Sequence, residues 1–125
     1  MGRLYLIEYD QTPDKRFYLC RSCQTHIASA QDFLSSTLVN IFFEKVVNVV
    51  IDDPVHYWRD LKDRTVANVL CIKCNILFGR KYVEVEEPTL EIREGTIRME
   101  QKKLLFWNGK VLVDELPIPQ SEAFV

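Results

Sequence analysis

A chain of 125 residues that is 47% hydrophobic can build one domain around one core, and it is too short for two. Sixteen basic and eighteen acidic residues give a net charge of −2, so the chain lacks the basic excess of a dedicated nucleic-acid binder. The longest apolar run, 46–51, is too short to cross a bilayer.

The N-terminus shows no targeting signal. It lacks the basic region and apolar stretch of a secretory signal. It also has Leu6 where myristoylation requires Ser or Thr. We therefore expect a protein of the cytoplasm, the nucleus or both, in a reducing compartment where four cysteines hold a metal rather than two disulfides.

The first half of the chain is rich in β-branched and aromatic residues and predicts strands. Residues 3–9 and 16–19 are strand-like, with a turn at 10–14 between them. Residues 24–34 are the least strand-like stretch and predict a loop or a short helix. Residues 41–51 are long enough for two strands or one bent strand.

The second half continues the β pattern. Residues 55–61 fit a short helix or an ordered loop, and strands are predicted at 65–70, 82–86 and 97–100. We expect one domain over 1–113, followed by a C-terminal tail over 114–125 that contains two prolines.

The clearest turn is Asn108-Gly109, which lies between two apolar stretches. Asn-Gly supplies the two positive-φ residues of a type I′ turn, so a hairpin is predicted over 104–113. Because Trp107 is too large to leave exposed without reason, this hairpin is expected to extend a sheet of the domain.

The four cysteines form two C-x-x-C pairs, Cys20 with Cys23 and Cys71 with Cys74. A two-residue gap lets a tight turn direct both sulfurs at one point, and two such pairs complete a tetrahedral zinc site. Because four thiolates leave no open position for water, the pattern predicts one structural zinc rather than a catalytic one.

The cysteine pairs and the histidines also have other interpretations. The pairs could be separate redox motifs or buried cysteines, but none is left over from the two pairs. His26 could replace a cysteine ligand, although a structural hydrogen bond is favoured. The isolated His56 is expected in a surface loop.

Around these pairs the chain resembles the yippee family of small zinc proteins, from about Phe17 to Gln101. After the first pair, Thr-His-Ile-Ala is similar to the family's Thr-His-Leu-Ala, and Phe-Phe-Glu-Lys-Val-Val-Asn-Val to its Leu-Phe-Asn-Lys-Val-Val-Asn-Val. The matching segments, in chain order, are 25–28, 42–49, 64–68, 79–82 and 92–96.

The chain departs from the family pattern at several points, as a divergent member does. The segment between Cys23 and Phe42 is shorter and lacks the family's glycine. Arg64 stands in place of a histidine and Arg80 in place of a tryptophan. The Asn-Gly hairpin is not part of the family pattern.

The resemblance implies a mainly β fold, a β-tent in which two antiparallel sheets are pinned by one Cys₄ zinc site. The thalidomide-binding domain of cereblon shares that fold, and its aromatic cage implies a ligand pocket at Trp58, Arg64, Arg80 and Tyr82. Because Arg keeps its charge, this pocket is expected to bind an anionic group or to be closed by arginines lying on the two aromatic rings.

We therefore expect a non-catalytic binding or adaptor module that recognises a protein segment or small ligand within a larger assembly. By resemblance alone, that assembly is related to ubiquitin ligases or cell division.

Two alternatives differ in class. A methionine sulfoxide reductase of the same fold needs a free cysteine besides the zinc ligands, and none remains. A single-stranded nucleic-acid or chromatin-associated domain could use basic residues near Trp58 and Tyr82, although the acidic balance weighs against it. Those basic residues are Arg59, Lys62, Arg64, Arg80 and Lys81.

Overall fold

The computed structural model describes residues 6–114, and these form eleven β-strands without an α-helix. The strands are β1 (Phe17–Cys20), β2 (His26–Ser29), β3 (Phe33–Ser36), β4 (Asn40–Phe43), β5 (Val49–Ile51), β6 (Trp58–Arg59), β7 (Thr65–Cys71), β8 (Leu77–Glu84), β9 (Ile97–Glu100), β10 (Leu104–Trp107) and β11 (Leu112–Val113). Within 6–114, no helix has the length and apolar character needed to span a membrane.

The strands form two antiparallel sheets, as the resemblance implied. The small sheet has the order β11-β10-β1-β2. The large sheet has the order β3-β4-β9-β8-β7-β5, with the short β6 paired to the start of β7. The mainly β, two-sheet prediction is therefore confirmed.

The main core lies where apolar residues of the two sheets meet. Tyr18 of the small sheet contacts Phe43 of the large one edge-on, with ring centroids 5.0 Å apart. Both rings are almost fully buried, in one cluster with Phe106 and Met99. A second cluster of Phe42, Val66 and Tyr82 is separate from this core. Because Phe42 and Phe43 are adjacent in β4, they point to opposite faces of the large sheet.

The prediction of a loop or short helix over 24–34 is wrong for most of the stretch. This stretch contains β2, a single 3₁₀ turn (Ala30–Asp32) and the start of β3. Ile27 and Ala28 are fully buried, and β2 pairs with β1. Burial against a neighbouring strand therefore outweighs the weak local preference of the stretch.

The prediction for 41–51 is confirmed in its two-strand form, because β4 and β5 are separate strands in it. Asn48, which has a φ of 58°, lies directly before β5. For 55–61, the structure has a 3₁₀ turn (Pro54–His56) followed by β6.

The C-terminal hairpin extends the small sheet as predicted, because β10 pairs with β1 and β11 pairs with β10. Its turn, however, is not of type I′. Of the central pair, Gly109 alone has a positive φ, of 95°. The Asn108 side chain instead accepts hydrogen bonds from the amides of Lys110 and Val111, both at 2.9 Å. Asn108 thus stabilises a longer turn with its side chain.

At the other end, the predicted strand over 3–9 falls partly outside the described residues, and 6–9 form no strand. The C-terminal tail also falls outside them, apart from Asp114, which pairs with Arg21 at 3.0 Å. The division into 1–113 and 114–125 stays a prediction.

Candidate metal centre and aromatic–arginine pocket

The two cysteine pairs are built in the same way. Cys20 ends β1 and Cys71 ends β7. Four residues after each, the chain takes a positive φ, of 61° at Gln24 and 63° at Asn75. The amides of these residues donate to the carbonyls of Cys20 (2.8 Å) and Cys71 (2.9 Å). Each pair is therefore a tight turn that directs its two sulfurs to the same side.

The four sulfurs converge on one point. The Sγ atoms of Cys20, Cys23, Cys71 and Cys74 all lie within 4.8 Å of one another. Cys20 and Cys74 are 3.7 Å apart, and Cys23 and Cys71 are 3.5 Å apart. A tetrahedron with Zn–S bonds of about 2.3 Å has edges of about 3.8 Å. The spacing and the soft donor set therefore fit a zinc ion.

The surroundings of the sulfurs also suit a cation. Burial raises the pKa of Cys20 to about 12, although the amides of Cys23 and Ser22 hydrogen-bond its sulfur and oppose the shift. At Cys23 burial is outweighed by the Thr25 hydroxyl, 2.9 Å away, and the Thr25 amide, which lower the pKa to about 7. A coordinated metal supplies the positive charge that keeps buried thiols deprotonated.

The candidate centre joins the two sheets. The first pair follows β1 of the small sheet, and the second follows β7 of the large sheet. A metal held by all four sulfurs would therefore fix the sheets to each other where β1 and β7 end. Such a site has a structural role, as expected when four thiolates close the coordination shell.

His26 takes no part in this cluster. Its Nδ1 accepts a hydrogen bond from the amide of Tyr9 at 2.7 Å, and the two rings stack with centroids 5.9 Å apart. The prediction that His26 is a structural hydrogen-bonding residue is confirmed. His56 is exposed at the end of its 3₁₀ turn.

The structure brings the four predicted pocket residues together in two stacked pairs. The guanidinium carbon of Arg80 lies 4.6 Å from the ring centroid of Trp58. That of Arg64 lies 5.0 Å from the ring centroid of Tyr82. Tyr82 is fully buried, and its hydroxyl makes no hydrogen bond within the described part of the chain. Each arginine therefore covers one face of its partner ring, and Trp58 remains 39% exposed.

Asp60, which sequence reasoning did not single out, holds one of these arginines in place. Its carboxylate lies 2.8 Å from Arg64 Nε and 4.0 Å from Arg80 Nη1. Burial opposes ionisation, but the amides of Arg64 and Lys62 and the Arg64 side chain donate to the carboxylate and keep the pKa of Asp60 below its ordinary value. The contacts between Asp60 and Arg64 close the turn between β6 and β7. The sequence did not predict a hairpin at this position.

The comparisons with known proteins point to a family of zinc-binding proteins. The family model "Yippee zinc-binding/DNA-binding /Mis18, centromere assembly" matches residues 17–110. A yippee-like protein of Arabidopsis thaliana is 31% identical over 110 residues, covering 84% of this chain and 83% of the relative. One of Solanum tuberosum is 28% identical over 109 residues, covering 83% and 81%.

The fold has a solved counterpart in the crystal structure of the Mis18 "Yippee-like" domain. The two superpose with a TM-score of 0.61 at 16% identity, covering 75% of this chain and 96% of that domain. With the family model spanning most of the described residues, the fold and the paired cysteines lead to one conclusion: the chain belongs to the yippee family of zinc-binding proteins.

Proposed function

We propose that this chain is a non-catalytic, zinc-stabilised binding module that recognises a protein segment within a larger assembly. The observation that carries the proposal is the use of all four cysteines in one closed cluster. The cluster leaves no thiol for nucleophilic or redox chemistry and no open metal position for substrate. A partner would therefore bind to the surface of the fold.

The relatives support a partner that is a protein. The family model names Mis18 and centromere assembly, and the superposed solved structure is a Mis18 domain. We extend that role to this chain in its general form, as an interaction module within a multiprotein assembly. Ubiquitin-ligase and cell-division assemblies are the ones that the family resemblance suggests, and a cytoplasmic or nuclear location suits reduced cysteines.

The test is affinity purification of the tagged chain followed by mass spectrometry. The background is a Cys71→Ser variant, which replaces one sulfur by oxygen and leaves the rest of the sequence unchanged. Proteins enriched with the wild type over this background, and shown to bind again as purified components, would support the proposal. No such protein in repeated experiments would contradict it.

The absence of catalysis has its own test. With no fifth cysteine, the chain is expected to leave methionine sulfoxide unchanged in the presence of dithiothreitol. Turnover that persists in a clean preparation would contradict the non-catalytic assignment.

A nucleic-acid function is the second candidate, favoured by the arginine–aromatic pairs and by the words "DNA-binding" in the family model. Single strands bind to surfaces of this chemistry by stacking and charge. The net charge of −2 weighs against it. A salt-dependent gel shift with single-stranded DNA distinguishes the two candidates.

A further inference from the structure

A polar groove lies beside the closed aromatic pairs, on the face of the large sheet that carries Trp58. It encloses about 260 Å³, less than the roughly 300–1,000 Å³ of a typical small-molecule site. That space suits one or two side chains of a peptide rather than a bulky cofactor. The polar, charged and aromatic residues that line it are Asn40, Trp58, Asn68, Arg80, Arg98 and Glu100.

Two arginines face each other across the floor of this groove. Arg80 of β8 and Arg98 of β9 are directly opposite in the strand register, and Asn68 of β7 is opposite Arg80 on its other side. Residues in such a row lie on one face of the sheet, and like charges placed opposite each other destabilise it. The sheet therefore holds two positive charges side by side.

These charges are poorly neutralised within residues 6–114. The carboxylate nearest Arg80 is that of Asp60 at 4.0 Å, and Asp60 is already bound to Arg64 at 2.8 Å. Arg98 forms no ion pair with any carboxylate of that range. Burial lowers the pKa of Arg80 most, and the positive charge of Arg98 lowers it further, so both destabilise its charged form. An anion bound beside it would stabilise that charged form.

The other walls are suited to a peptide main chain. Asn40 and Asn68 line the groove, and their side-chain amides make no hydrogen bond to another residue of 6–114. Each can donate to a carbonyl and accept from an N–H. Glu100 adds an acceptor whose charge is balanced by Lys103 at 3.5 Å. Donors and acceptors alternate in the same way along a peptide backbone.

We infer that this groove binds an acidic peptide segment, with Arg80 and Arg98 taking a carboxylate between them and the two asparagines holding the adjacent main chain. The inference rests on the proposed protein-binding function and names the chemistry of the partner. Paired guanidinium groups match the two oxygens of a carboxylate. A nucleic-acid backbone fits less well, because a sugar–phosphate chain lacks the N–H and carbonyl groups that the two asparagines would hold.

The test is an NMR titration of the full-length zinc-loaded chain with a hexaglutamate peptide. A hexaglutamine peptide of the same length is the neutral control, and a ten-nucleotide oligo(dT) probes nucleic acid. The variant is Arg98→Gln, which removes one charge from the groove. The matched control variant is Arg93→Gln, which removes the same charge from the β8–β9 connection. A spectrum with native dispersion shows that each variant is folded.

We expect hexaglutamate to shift the resonances of Trp58, Asn68 and Arg98, and salt to weaken the binding. Affinity should fall about tenfold in Arg98→Gln and stay unchanged in Arg93→Gln. Equal binding of hexaglutamine, no binding of hexaglutamate, equal losses in both variants, or tighter binding of oligo(dT) at the same residues would each overturn the inference. If protein partners are captured and remain bound to Arg98→Gln, the inference fails while the proposed function stands.

Discussion

The guanidinium of Arg80 covers the ring of Trp58, 4.6 Å from its centroid, where an aromatic cage would hold its ligand. Cation–π contacts of this kind contribute about 0.5–2 kcal/mol. With Arg64 on Tyr82, both aromatic rings are occupied by residues of the chain itself. The pocket is thus filled by its own cations and presents positive charge.

We therefore expect the chain to bind neither a cyclic imide nor a trimethyllysine peptide. The imide meets a Trp58 ring with Arg80 stacked on it and a Tyr82 ring that is buried, and the ammonium group meets two fixed guanidinium charges. An NMR titration that follows the Trp58 indole resonance measures the binding of each ligand. Micromolar binding of either ligand at Trp58 would show that the arginines leave the rings in solution.

Cys71→Ser should leave the chain largely unfolded, and the wild type should contain one zinc per chain. Structural zinc contributes roughly 10–16 kcal/mol of apparent binding free energy, which is comparable to the whole stability of a domain, about 5–15 kcal/mol. Circular dichroism and metal analysis measure the two effects.

The control for this change is Ser22→Ala, which lies in the other C-x-x-C turn of the same cluster and supplies no sulfur. It should keep its zinc and its fold. A native-like melting curve for Cys71→Ser, or a wild type that holds no zinc, would disprove the structural role of the cluster.

The sequence predicts the parts of this site that depend on spacing along the chain. A two-residue gap suits a tight turn that directs both sulfurs to one point, so two C-x-x-C pairs could be assigned to one site before the fold was known. The Asn-Gly hairpin was predicted for the same reason, although the Asn108 side chain stabilises a different turn. Local chemistry is enough in such cases.

What the sequence did not predict depends on contacts that the folded chain creates. Arg98 looks like an ordinary surface charge until the register places it opposite Arg80, and Asp60 does so until the β6–β7 turn brings it beside Arg64. β2 was missed because its strand character comes from burial against β1 rather than from its own residues. Register and burial are properties of the assembled sheet.

His26 should make the chain less stable as the pH falls. Its Nδ1 accepts the Tyr9 amide at 2.7 Å, which a protonated ring cannot do. Burial lowers the pKa of His26 below its ordinary 6.5, with the nearby Glu8 opposing the shift. From about pH 6.5 down to the lowered pKa, the unfolded chain therefore binds a proton that the folded chain does not, so stability falls across that window and levels off below it.

The measurement is amide exchange at Tyr9 as a function of pH. His26→Asn is the matched control, since its side-chain oxygen can accept the same hydrogen bond without titrating. The Tyr9 amide should lose protection on acidification in the wild type and keep it in the variant. The same pH dependence in both proteins would show that the effect comes from elsewhere, for example from proton competition at the cysteines.

Asp60→Asn should destabilise the fold by about 1–3 kcal/mol, the cost of removing a charged hydrogen-bond partner from a mostly buried position. The Asp60 side chain is 6% exposed and accepts from the Arg64 side chain and from the amides of Lys62 and Arg64. The asparagine carries no charge and has one acceptor oxygen in place of two. It would leave the Arg64 and Arg80 cations without their shared carboxylate.

Thermal unfolding at neutral pH should show a melting temperature lower by roughly 5–15 °C. Neutral pH is the right condition, because a carboxylate whose pKa is lowered contributes its stability above the unfolded value of about 3.9 and loses it only as the pH falls toward the folded one. Asp63→Asn is the matched control in the same turn, where the chain has a φ of 57° that asparagine also adopts. If the two variants have the same melting temperature, Asp60 does not hold the arginines in place, and the rings of Trp58 and Tyr82 alone must set their positions.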